Sequence, residues 1–146
     1  MTSQQILDQL NELSSAGDFP QRTADLTAAW AAAGVGSEAI DPILKFMETN
    51  PDIDYGTPGP LVHFVESLRA KEYEQKVIKS VRRTPTFATA WMLNRIINAT
   101  RSPERKQAQL AALKEAGMSP FADENIRYWI DKFIQRQGVQ DEILEE

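Results

Sequence analysis

At 146 residues, with 42% hydrophobic and 25% charged residues, the chain has the size and composition of a soluble globular domain that builds its own core. No cysteine and a single histidine exclude disulfides, zinc–thiolate sites and cysteine nucleophiles, and leave any metal site to depend almost wholly on carboxylates. The net charge of −5, the lack of a long apolar run and the polar start MTSQQILDQLNELSSAG predict a reduced, cytoplasmic protein without membrane span, signal peptide or cofactor.

In chain order, Ile6, Leu7, Leu10 and Leu13 recur as one face of a helix, and Leu26 with Trp30 marks a second. Ile43, Leu44 and Met47 follow, then Leu61, Phe64, Val65 and Leu68, then Tyr73, Val77 and Val81. Phe87, Trp91, Ile96 and Ile97 predict a sixth helix and Leu110 with Leu113 a seventh. Ile126, Trp129, Ile130 and Phe133 predict the last. Prolines open these patterns in FPQR, DPIL, TPGP, TPTF, SPER and SPFA, where the missing N–H of a first helical turn costs nothing. Asp41, Thr57, Thr84, Ser102 and Ser119 precede five of the prolines and are expected to cap. Gly17, Gly34, Gly117 and Gly138 stand where helices should stop.

No segment alternates with period two, so the expected fold is all-α. About eight short helices should begin near residues 3, 20, 41, 58, 71, 85, 103 and 120. Short connections favour antiparallel neighbours. Repetition at about 35 residues per helix pair suggests HEAT-like stacked hairpins in one domain, with a compact irregular bundle as the alternative. Residues 139–146 form an acidic C-terminal tail.

Charge is divided sharply along the chain. Residues 1–68 hold ten acids against Arg22 and Lys45, a balance of −8. Residues 69–106 hold ten bases against Glu72, Glu74 and Glu104, a balance of +7, and residues 107–146 return to −4. Lys76, Lys79 and Arg83 share the helical face opposite Tyr73, Val77 and Val81, as a solvated face would. A basic stripe for phosphates is the competing possibility, but the acidic remainder of the chain would repel a polyanion.

The stretch DIDYGTPGPLVHFVE, Asp52 to Glu66, is the densest in potential chemistry. Asn50-Pro51 should end the preceding helix, and Gly56 permits a sharp turn before TPGP starts the next. His63 and Glu66, three apart on one helix, could form an acid–base pair. Catalysis would need a third group, and no serine or cysteine nucleophile stands in a recognisable setting. Farther on, WMLNRIINAT places Arg95 and Asn98 in an otherwise apolar run. Buried polar groups need partners, so His63, Glu66, Arg95 and Asn98 are expected to form a structural polar network.

DIDYGTPGPLVHFVE followed by PTFATAWMLNRIIN resembles small all-α immunity proteins of bacterial polymorphic-toxin and contact-dependent inhibition systems. The similarity covers Asp52 to Ala99. It implies a cytoplasmic protein without catalysis that occludes a cognate toxin domain, expected to be basic, for instance a nuclease. Opposite charge would then choose and accelerate the partner. Glu48, Asp52, Asp54, Tyr55, Glu72 and Glu74 are the candidate contact residues, with Tyr55 as aromatic anchor. The alternative is a helical-repeat nucleic-acid-binding protein or glycosylase-like enzyme using residues 69–106.

Overall fold

The computed structural model describes residues 1–15 and 17–145, with side chains to Gly138. The described residues are all helical or irregular, with no strand. The helices are α1 (Ser3–Leu13), α2 (Phe19–Ala32), α3 (Ile40–Thr49), α4 (Pro60–Ser67), α5 (Tyr73–Arg83), α6 (Phe87–Ala99), α7 (Pro103–Gly117) and α8 (Glu124–Glu145). A 3-10 turn, Ser37–Ala39, leads into α3. The expected all-α class is therefore the one adopted, and each helix starts within four residues of its expected position.

The capping chemistry departs from expectation at four of five positions. Ser102 caps α7, its hydroxyl accepting from the Arg105 N–H at 3.4 Å. Asp41 instead lies inside α3, because the 3-10 turn feeds directly into the helix and leaves no free end there. Thr84 still closes α5, its N–H donating to the Ser80 carbonyl; Thr86, extended and two residues on, caps α6 by accepting from the Thr89 N–H at 3.1 Å. Thr57 precedes α4 by three residues, and the backbone of Gly59 makes that start. Ser119 caps only a short turn, through the Phe121 N–H, while Asp123 accepts from the Ile126 N–H at 2.8 Å and begins α8. Gly138 does not end α8, which continues through the acidic tail to Glu145.

The chain divides into two compact units, Met1–Lys76 and Val77–Glu146. In the first, α1 rests chiefly on α3 and α2 on α4, so alternate helices pack more closely than consecutive ones. Ile6, Leu10, Ile40, Ile43 and Met47 are fully buried there. Trp30 packs edge-on against Phe64 at 5.5 Å and donates its indole N–H to Gln9 Oε1 at 2.7 Å. A buried indole whose one donor is satisfied fits the rule that ring burial stabilises only when the polar atom is paired.

In the second unit α6, α7 and α8 pack mutually. Its buried core comprises Leu93 and Ile97 of α6, Ala112, Leu113 and Ala116 of α7, and Ile130 and Phe133 of α8. Two glutamine amide nitrogens inside this core are paired, while the buried Gln137 Oε1 accepts no hydrogen bond. Gln109 donates to the Thr100 hydroxyl at 3.0 Å. Gln137, itself 2% exposed, donates from one amide nitrogen to Asn94 Oδ1 at 3.0 Å and Asn98 Oδ1 at 2.6 Å.

Candidate partner-binding surfaces

The loop from Asn50 to Gly59 is built around one tyrosine. Asn50 closes α3, its side-chain amide donating to the Phe46 carbonyl at 3.0 Å. Tyr55 turns inward, 6% exposed, and stands edge-on to Phe19 at 5.7 Å and Phe46 at 6.3 Å. Its hydroxyl donates to the Asn50 carbonyl at 2.7 Å, so the ring locks the loop to the helix it has just left. Burial pushes the phenol well above its ordinary pKa, because the phenolate would lose its hydration. Tyr55 is thus a core residue. The expectation that it anchors a partner is corrected, since a ring nearly closed to solvent offers a partner no area.

Two glycines make this inward turn possible. Gly56 and Gly59 have φ of +104° and +95°, a region that side chains other than glycine's rarely adopt. They also touch each other, and a Cβ on Gly59 would overlap the Tyr55 carbonyl. What remains outside is acidic. Asp52 and Asp54 are exposed, as expected, and Asp54 accepts from the Gly56 N–H at 2.9 Å.

Of the other candidate contact residues, Glu72 is exposed while Glu48 and Glu74 are half-buried. The first unit carries twelve acids against five bases, a balance of −7, and nine of those acids are exposed with none buried. Its negative field therefore faces water. The charge is trimmed locally where Lys76 reaches Asp41 at 2.8 Å. Lys76 thus engages an acid, and Lys79 and Arg83, the other members of the candidate basic stripe, lie on the exposed side of α5, opposite buried Val77 and Val81.

The four residues of the expected polar network fall two in each unit. His63 is exposed and lies 3.8 Å from half-buried Glu66, a long contact open to water. Arg95 is half-buried on α6, and Asn98 takes its hydrogen bond from Gln137. Gln137 was invisible as a partner because it sits 39 residues beyond Asn98, in a stretch whose sequence carries no signal for it. A shallow groove of about 390 Å³ between α1 and α2 is lined by Gln9, Glu12, Leu13, Arg22, Asp25 and Leu26. Among the described residues no three metal-ligating side chains converge, and no helix is long and apolar enough to cross a membrane.

Sequence patterning also missed an aromatic surface on the second unit. Phe87 and Trp91 of α6 stand 5.3 Å apart, and Phe87 meets Trp129 at 5.3 Å. Tyr128 lies edge-on to Trp129 at 5.4 Å. Trp129, expected in the core stripe, is 37% exposed and Tyr128 54% exposed. Comparison with family models, with curated proteins and with solved structures finds no match to this chain.

Proposed function

We propose that this chain is a protein-binding module of the immunity type, which occludes a basic toxin domain and has no catalysis of its own. The observation that carries this is the outward-facing acid of the first unit, nine exposed carboxylates on a surface whose bases number five. Such a field raises encounter rates with a basic partner and disfavours polyanions. The similarity of Asp52 to Ala99 to all-α immunity proteins supports the same partner class. With Tyr55 committed to the core, half-exposed Ile53 between Asp52 and Asp54 takes the anchoring place in that loop.

The test is co-expression in a sensitive cell of the C-terminal domain of a secreted toxin, sought in the reading frames next to this one, with and without the chain. Survival only in its presence is expected; equal killing refutes the proposal. With the purified pair, Asp52→Lys should slow association several-fold at low salt and leave the fold intact, because this carboxylate is exposed, whereas Asp54 also holds the Gly56 N–H. An unchanged rate would remove the loop from the contact surface.

A further inference from the structure

The exposed side of α8 carries a stripe in which Glu124, Tyr128 and Lys132 follow one another at intervals of four residues. Each is about one helical turn from the next, so all three lie along one line of the surface. All three are exposed, and Lys132 Nζ lies 5.4 Å from the centre of the Tyr128 ring. Glu124 and Lys132 are about 12 Å apart along the axis, too far to pair with each other in one chain.

The stripe is its own complement under a two-fold rotation. With the axis at Tyr128 and a second α8 laid antiparallel, a residue a given number of places after Tyr128 faces one the same number before it. Lys132 then meets Glu124 of the second copy, and Glu124 meets Lys132 of the second copy. Arg136, the next exposed charge along the stripe, falls beyond the second copy's α8, which begins at Glu124. Arg127 faces Trp129 of the second copy, and Asp131 faces its Asn125. Trp129 flanks the axis and is held from behind by Phe87 at 5.3 Å and Phe133 at 6.3 Å, so it offers a pre-set ring. A symmetric contact with aromatic centre and paired charges at the rim is the form that two-fold interfaces take.

We propose that this face binds a second copy of the same chain through antiparallel α8 helices, independently of any toxin. The full chain should be followed by sedimentation velocity from micromolar to millimolar concentration. The expected result is a shift from 16.4 kDa towards twice that mass. Glu124→Lys and Lys132→Glu should each weaken pairing at least tenfold, since each sets like charges opposite each other twice. The double variant Glu124→Lys/Lys132→Glu should restore it. All substituted positions are exposed, and circular dichroism is the check that each variant is folded. A chain that remains monomeric throughout overturns the proposal, as does a double variant that fails to recover. Loss in Lys132→Glu without loss in Glu124→Lys contradicts the reciprocal pairing of positions 124 and 132 and overturns it equally.

Discussion

If Tyr55 is a core residue, shortening it should damage stability before it damages binding. The ring is 6% exposed, so Tyr55→Ala returns nearly all of its contact area to a cavity beside Phe19 and Phe46. An aromatic side chain buries roughly 150–250 Å², which at ~25 cal/mol/Å² amounts to about 4–6 kcal/mol before the hydroxyl's own desolvation is subtracted. Aromatic-to-alanine changes cost ~3–5 kcal/mol, and about 4 kcal/mol is expected here. Tyr55→Phe keeps the ring and removes the 2.7 Å hydrogen bond to the Asn50 carbonyl. That carbonyl belongs to a half-buried residue and can take a water instead, so about 1 kcal/mol should be lost at neutral pH. Alkali reverses the comparison. The buried phenol is raised above its ordinary pKa, so as pH climbs past ~10 the unfolded chain releases this proton while the folded chain retains it. Wild-type stability then falls by up to ~1.4 kcal/mol per pH unit, a component the phenylalanine variant lacks, and the gap between the two should close near pH ~11. Urea unfolding at neutral and alkaline pH measures each quantity. If Tyr55→Ala unfolds within ~0.5 kcal/mol of the wild type, the inward placement is wrong.

Three further substitutions test the packing. Phe64→Ala should cost ~3–5 kcal/mol in the same urea assay, since Phe64 is 7% exposed and packs on Trp30. Gly59→Ala should cost more than the ~1–3 kcal/mol of backbone strain, because the added Cβ would also overlap the Tyr55 carbonyl; a variant within ~1 kcal/mol of the parent would contradict that loop geometry. Thr86→Ala should lose about 1 kcal/mol as a cap is removed, whereas Thr84→Ala should stay within ~0.5 kcal/mol; thermal melts of the two side by side would expose a reversed assignment.

Helix number and helix starts could be read in the sequence because they rest on short-range chemistry, the spacing of apolar residues and the tolerance of proline in a first turn. The caps were harder to read for equally local reasons. TPT offers two threonines around one proline, and only the fold decides that Thr84 finishes one helix while Thr86 begins the next. Asp123, the cap of α8, had a readable signal in an aspartate before glutamate, but the nearer serine–proline pair competed with it. Tyr55 shows the other limit. Between Asp54 and Gly56 it has the sequence setting of a surface loop, and the rings that enclose it lie at Phe19 and Phe46. Trp129 fails from the opposite side. It sits at the edge of the apolar stripe of α8, where periodicity cannot say which way a large ring leans, and it leans outward.

The Gln137 amide has a consequence for how α6 and α8 find their alignment. Ile97, Ile130 and Phe133 are buried in this core, yet apolar contact is indifferent to direction and would tolerate sliding one helix along the other by a turn, about 5.4 Å. The two hydrogen bonds from a single nitrogen to Asn94 and Asn98 exist at one setting only, because the two acceptors are themselves a turn apart. A slide in either direction would break one of the two bonds, and the slide that gives up Asn94 would strand a buried amide. Adhesion and alignment are thus assigned to different atoms, and a leucine at position 137 would keep the first while surrendering the second.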